Sequence, residues 1–370
     1  MTGAAVPKRI VFVTGSLGGG GAERQIAELA NRFAARGCDV ALATWTGPET
    51  PDAYALDPRV RRVRLNLAAP ASRAGVFVFL WRCVNGLRDV FRRERPDVVV
   101  SFITMMNVLT ILASRGLGLR VVVSERVHPE LDATVTGVWH VLRALTYRFA
   151  DVVVSQTRDA AAWIAARFPV RSVVIPNLLR ELPSPGPGRE PVVLAVGRLA
   201  HQKGFDVLLE AFARVAPQSS GWRAEILGEG PELESLRALR DSLGLASCVT
   251  FAGFVCDIEE RMGRAALVVQ PSRFEGFPNV VLEAMGMGAA VISSDCKAGP
   301  SDLITDGVDG YLVPVDDAGA LAARIGELMR DAALRERLGA AAQRVRARFS
   351  ATQIIPEWVA ALEIERASHV

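Results

Sequence analysis

The sequence predicts an α/β protein made of two parallel, doubly wound, Rossmann-like domains. Three observations carry that expectation. Short β-branched runs alternate with helical patterns from end to end, the rhythm of βαβ units. The 370-residue length is about twice that of a usual domain. A Pro- and Gly-rich stretch, LPSPGPGREP at 182–191, interrupts the rhythm near its middle, after which it restarts.

Taken in order, RIVFVT reads as the first strand. AERQIAELANRFAARG follows it, with Ile26, Leu29, Ala30 and Phe33 at helical spacing. DVALAT, DVVVSF, RVVVSE and DVVVSQ continue the first domain, placed at 1–181. VVLAVG, RAEILG, VTFAG, ALVVQP, AVISSD and GYLVP form the second, placed at 182–350. SATQIIPEWVAALEIERA then reads as a closing amphipathic helix over 351–370. Sheets of this kind bind ligands beyond the carboxyl ends of their strands, so two of them are expected to face each other across a cleft.

Composition narrows the function. Five cysteines with no C-x-x-C pair argue against a disulfide framework or zinc site and for a reducing compartment. The N-terminus runs into a strand without a signal-peptide pattern, and the apolar cluster AGVFVFLW is far short of the roughly 20 residues that span a bilayer. A cytoplasmic protein is expected, or one held peripherally at the cytoplasmic face of the inner membrane. Residues 1–180 carry 24 Lys and Arg against 14 Asp and Glu, whereas 181–370 carry 19 against 26. A basic first domain suggests an anionic partner. Residues 72–95 combine Val76, Phe79, Leu80, Val84, Leu87 and Phe91 with Arg82, Arg88, Arg92, Arg93 and Arg95, and RVRRVR at 59–64 adds charge. Such a helix either lies on an anionic membrane surface or faces the core with a solvated basic side. Nucleic acid is not expected, because no aromatic residues interleave these arginines for stacking.

Three loops carry the chemistry. TGSLGGGGAER, with Gly18, Gly19 and Gly20, precedes a helix N-terminus, where bare backbone and the helix dipole favour a phosphate or sugar. It fails the G-x-G-x-x-G dinucleotide fingerprint, since Glu23 stands three residues after Gly20; a plain tight turn stays open. VGRLAHQKGFDVLLEAF places Arg198 and Lys203 in a strand-to-helix turn, where two cations reach one diphosphate or simply face solvent. PSRFEGFPNVVLEAMGMG puts Glu275 in the loop before a helix and Glu283 within that helix, with Pro278 suited to its first turn. Attraction to the helix dipole is an alternative for Glu275 but explains Glu283 poorly; a carboxylate there suits the vicinal hydroxyls of a ribose.

RFEGFPNVVLEAMGMGAAVISSD resembles the E-x7-E signature of family 4 glycosyltransferases of the GT-B fold. VGRLAHQKGFDVLLEAF, LGEGPELESL, FAGFVCDI, DGVDGYLVPVDD, GSLGGGGAERQIAELA and VIPNLL stand in that family's order, so the resemblance covers nearly the whole chain. It implies a retaining transferase that uses a nucleotide sugar, with uridine diphosphate the expected carrier. Arg198 and Lys203 would hold the diphosphate, Glu275 the sugar hydroxyls and Glu283 the ribose. Gly18, Gly19, Gly20, Gly276, Phe277, Asn279 and Val280 would line the donor; Gly228, Glu229, Phe254 and Val255 would flank the base. The final helix, near Trp358, would cross back onto the first domain. No metal cofactor is implied, and no D-x-D pair occurs. The acceptor would be a glycan, lipid-linked by first choice, in surface polysaccharide or glycoconjugate synthesis.

The chain departs from the family at VVVSERVHPE. Glu125 and Arg126 occupy the place where many relatives have a histidine, with His128 a few residues later. They are candidates to act near sugar or acceptor, or they form a polar loop in which Arg126 pairs with Glu125 or Glu130. Transfer to a small soluble acceptor, a nucleotide-sugar epimerase on the same fold and a non-catalytic nucleotide-sugar binder are the alternative functions.

Overall fold

A computed structural model describes residues 9–67, 73–131, 135, 137–184, 188–216, 221–255 and 257–363. The chain divides into two compact units, Met1–Asn177 with Thr352–Val370, and Leu178–Ala351. The second unit therefore begins ahead of the Pro- and Gly-rich stretch.

The first unit holds a seven-stranded sheet of β1 (Arg9–Thr14), β2 (Asp39–Thr44), β3 (Arg61–Arg64), β4 (Val98–Phe102), β5 (Arg120–Ser124), β6 (Val152–Ser155) and β7 (Arg171–Val174). Its order is β3-β2-β1-β4-β5-β6-β7, and every neighbouring pair is parallel. The second unit holds β8 (Glu190–Val196), β9 (Arg223–Leu227), β10 (Val249–Gly253), β11 (Ala265–Gln270), β12 (Ala290–Ser294) and β13 (Tyr311–Val313), ordered β10-β9-β8-β11-β12-β13 and again all parallel. Central strands such as VVVSF of β4 and AALVVQ of β11 are buried at every position. That is the burial of a parallel sheet covered on both faces, and it explains their unbroken apolar runs. Each sheet reverses winding once, between β1 and β4 and between β8 and β11; loops leaving such a pair diverge and open a crevice.

Two sequence expectations change. RVRRVR contributes the edge strand β3 rather than free positive charge: Arg61 pairs with Glu94 at 2.9 Å and with Asp39, Arg62 with Asp52 at 3.0 Å, and Arg64 with Asp52 at 2.7 Å. The helix Arg73–Glu94 turns its apolar side into the core, with Cys83, Leu87, Val90 and Phe91 buried and Phe79, Leu80 and Val84 packed against them. The described residues of its hydrophobic stripe thus pack in the core, while Val78 and Trp81 on the same helix stay exposed, at 51% and 67%. The side chain of Val76 lies outside the described residues.

The helix Ala351–Leu362 groups with the first unit. Its Trp358, 2% exposed, stacks on Phe102 with ring centroids 5.9 Å apart, and Arg120 Nη2 donates to the Ala361 carbonyl at 3.1 Å. Among the described residues no helix is long and apolar enough to cross a membrane.

Candidate active site

In the second unit the loops after β8 and β11 leave from neighbouring strands, and the polar residues between them hold them together. Arg273 N donates to the Gln202 carbonyl at 2.8 Å and Gln202 Nε2 to the Phe274 carbonyl at 3.0 Å. Arg273 also reaches Asp206 at 2.6 Å and the His201 carbonyl at 2.7 Å. Lys203 closes a short 3₁₀ turn, His201–Lys203, before the helix Phe205–Val215. Gly204, between them, has φ +64°, and a Cβ there would overlap the Pro271 carbonyl. Only glycine lets the two loops approach so closely.

Lys203 and Glu275 meet in this position. Lys203 Nζ lies 2.6 Å from Glu275 Oε1, which also accepts from Ser272 Oγ at 2.7 Å and Gln270 Nε2 at 3.2 Å. Glu275 is 6% exposed. A carboxylate taken out of water is costly unless it is paired and hydrogen-bonded in this way. Buried Cys296 sits in the same field: burial first, and then the Glu275 charge, pushes its thiol up to about 12. Arg198, by contrast, is exposed, and among the described residues no side chain pairs with it. A held carboxylate thus meets one cation of the loop after β8, while the other, Arg198, stands exposed on that loop.

Glu283 lies in the helix Asn279–Gly286, just after Asn279 and Val280, and is 5% exposed. Pro278 stands one residue ahead of that helix, at its N-cap. Arg180 Nη2 approaches Glu283 Oε2 at 3.1 Å, and Arg180 Nη1 pairs with Glu259. Gly276 is half-buried and Phe277 buried, with the Phe277 ring edge-on to Phe349 at 6.1 Å. The loops after β9 and β10 join the same strand ends: Leu199 N donates to the Glu229 carbonyl at 2.9 Å, and Gly228 N to the Gly253 carbonyl at 2.8 Å. Gly228 has φ +131°, and a Cβ there would overlap the Gly197 carbonyl, so this glycine lets the β9 loop seat on the Arg198 loop. Phe254 is 76% exposed and Val255 half-buried beside it.

In the first unit Gly18, Gly19 and Gly20 are exposed ahead of the helix Gly21–Ala35, at the β1 side of the β1/β4 crevice. Glu125 and Arg126 follow β5 and are 2% and 8% exposed. Glu125 accepts from Thr104 Oγ1 at 2.8 Å and from the Tyr147 hydroxyl, with Arg143 Nη1 at 3.9 Å. Burial, with the Glu125 charge second, holds the Tyr147 pKa well above its usual value. Arg126 bonds Ser124 at 3.2 Å and Asn177, and lies 4.3 Å over the Phe102 ring; burial lowers its pKa. Its partners are therefore neither Glu125 nor Glu130. His128, also buried, lies 3.3 Å from Asp159.

Sequence reasoning missed Gln270, Ser272, Arg273 and Arg180. Arg273 carried one available signal, a charged residue two positions before Glu275 in an eight-residue loop. The others are ordinary polar residues whose partners lie far along the chain. Among the described residues no group of three or more His, Cys, Asp or Glu side chains gathers to hold a metal.

The second unit carries two cations, Arg198 and Lys203, and two carboxylates, Glu275 and Glu283, on the segments that follow β8 and β11. The pattern described as Glycosyl transferases group 1 matches residues 183–345, and the Glycosyl transferase 4-like domain matches residues 20–178. The chain belongs to glycosyltransferase family 4 and has the GT-B fold. An exopolysaccharide phosphotransferase of Streptomyces coelicolor is 34% identical over 213 residues, 56% of this chain and 23% of that protein. An α-1,4-N-acetyl-D-galactosaminyltransferase of Campylobacter jejuni, whose name includes a diNAcBac-PP-undecaprenol-linked glycan, is 27% identical over 355 residues, 95% of this chain and 97% of that one. Among solved structures, Anabaena HepE in complex with UDP and glucose superposes with a TM-score of 0.78 at 21% identity, covering 95% of this chain and 98% of the other.

Proposed function

We propose that the protein transfers a sugar from a uridine-diphosphate donor to a lipid-linked glycan, with retention of anomeric configuration and without a metal. The observation that carries this reading is the Lys203–Glu275 pair at the β8/β11 crevice, with exposed Arg198 on the same loop as Lys203. In this reading Arg198 and Lys203 take the negative charge that develops on the departing diphosphate, the work a metal does in other transferases. Glu275 accepts from hydroxyls of the donor sugar; Lys203 and Ser272 fix its orientation before the donor arrives. Glu283 accepts from the ribose hydroxyls. Gly276, Phe277, Asn279 and Val280 line the donor, and Gly228, Glu229, Phe254 and Val255 border the base. Glu125 supports the β5 loop through Thr104 and Tyr147.

The UDP complex of HepE supports the choice of carrier, and the undecaprenol-linked glycan in the name of the Campylobacter relative supports the choice of acceptor. Peripheral attachment at the cytoplasmic face of the membrane belongs to the same proposal, through a surface other than the one its sequence suggested. The helix Gly137–Thr146 exposes Val138, Val141 and Leu145 along one stripe, at 58%, 57% and 53%. Phe149 continues it, with Arg115 and Arg148 stacked on its ring at 4.1 and 4.8 Å. An apolar stripe flanked by cations fits an anionic lipid surface.

The test is a panel of nucleotide sugars assayed for release of nucleoside diphosphate, with and without membrane lipid extract and with and without EDTA. The proposal expects one uridine-diphosphate donor to be used, extract to raise release strongly, and EDTA to change nothing. Turnover of a donor to an isomeric nucleotide sugar without any acceptor would replace the transferase by an epimerase. Release stimulated only by small soluble glycans would move the acceptor off the lipid.

A further inference from the structure

We infer that Arg180 is the positioning residue for Glu283, and that recognition of the nucleotide's ribose depends on it; this rests on the ribose reading of Glu283 above. Glu283 sits between Leu282 and Ala284 in a helix whose residues 281–286 are all buried. A carboxylate buried there calls for a partner, since leaving a buried charge unpaired is costly. The rigid guanidinium fork of Arg180 supplies one: Nη2 faces Glu283 at 3.1 Å, while Nη1 is paired with Glu259 on the helix Ile258–Arg264. One cation thus bridges carboxylates from two elements, which fixes the plane of the fork and with it the Glu283 carboxylate.

The base of Arg180 is equally fixed. Leu179 N donates to the Phe349 carbonyl at 2.9 Å, and Leu179 and Leu182 fill the space over Gly286, on the helix that carries Glu283. Arg346 ties the two segments together, Nε donating to the Gly286 carbonyl at 2.6 Å and Nη2 to the Pro183 carbonyl at 2.8 Å. The segment bearing Arg180 and the helix bearing Glu283 therefore hold a common frame. A carboxylate accepts about four hydrogen bonds, so an arginine contact is compatible with two ribose hydroxyls on the same group.

The experiment is calorimetric titration of the full-length protein with UDP and with 2′-deoxy-UDP. The wild type is expected to prefer UDP. Arg180→Met is expected to weaken UDP binding about tenfold and to reduce the preference to about twofold, as when a charge-assisted hydrogen bond is lost. Arg180→Lys is expected to restore part of both, and Glu259→Gln to give a smaller loss. A lowered melting temperature in Arg180→Met with the UDP preference intact would make the residue merely structural and overturn the proposal. Failure of the ribose reading looks different: Glu283→Ala would keep the wild-type preference, and the role of Arg180 would fall with it. No binding of UDP to the wild type would overturn both.

Discussion

Lys203 and Glu275 pair at 2.6 Å where both side chains are largely shielded from water. Breaking a buried ion pair from one side costs about 3–5 kcal/mol, and because the Lys203 side chain keeps 17% exposure the lower end applies. Lys203→Met should therefore lose about 3 kcal/mol in chemical denaturation, and turnover should fall about a hundredfold or more at saturating donor. Ser272→Ala, which removes one hydrogen bond to the same carboxylate, should cost about 1 kcal/mol. A Lys203→Met protein as stable as the wild type would show that the pair does not hold Glu275. Thiol chemistry gives a second check. Burial pushes the Cys83 thiol up to about 11 and the Cys296 thiol up to about 12. At pH 8 both stay protonated, with about one Cys83 in a thousand as thiolate. Iodoacetamide should leave both untouched in the folded protein and modify them in urea, and native labelling at the rate of a free thiol would contradict the burial. Glu275, Glu283 and Lys203 were legible in the sequence because each lies within a patterned loop or helix start. Arg180 and Ser272 were not, because a lone polar residue does not name its partner.

Among the elements, the loops after β8 and β9 depend on bare backbone. Gly204→Ala and Gly228→Ala each place a methyl group against a carbonyl of the neighbouring loop at a backbone angle that L-residues avoid. We expect each to cost about 1–3 kcal/mol and to lower nucleotide affinity, because Lys203 or Arg198 moves with its loop. Thermal melts with and without UDP separate the two effects; an unchanged ligand-induced shift in both variants would detach these loops from the donor. The same scale shows why part of the fold escaped the sequence. The central strands announce themselves as unbroken runs such as DVVVSF and AALVVQ. The edge strands β3 and β7, RRVR and RSVV, do not, because an edge position places arginines where a buried strand has valines. The helix Arg73–Glu94 was legible as amphipathic, but periodicity cannot say whether a sheet or a lipid covers the apolar side.

For the whole molecule, the excess of basic residues in 1–180 is the feature that composition exposed and the structure refined. The arginines of β3 are consumed by ion pairs, whereas Arg115 and Arg148 remain beside the apolar stripe of Val138, Val141, Leu145 and Phe149. The protein should therefore sediment with phosphatidylglycerol-containing vesicles and not with phosphatidylcholine alone. Val141→Asp with Leu145→Asp should abolish this, and charge reversal at Arg115 or Arg148 should weaken it about fivefold each, roughly 1 kcal/mol per cation. Vesicle binding unaffected by the double aspartate would move the attachment elsewhere. This surface was not legible in the sequence, because its residues come from separate helical segments that carry no shared motif.

The return of the helix Ala351–Leu362 to the first unit also sets an order of assembly on the ribosome. The second unit is continuous in sequence and has all its residues once position 351 has emerged. The first unit, although begun earlier, waits for residues 352–362, when Trp358 covers Phe102. Until then a nascent chain shows an uncovered aromatic on the first sheet, a surface that chaperones bind. Chains ending at residue 350 should accordingly be cut by protease in the first unit and spared in the second; equal resistance in both would show that this late cover is dispensable.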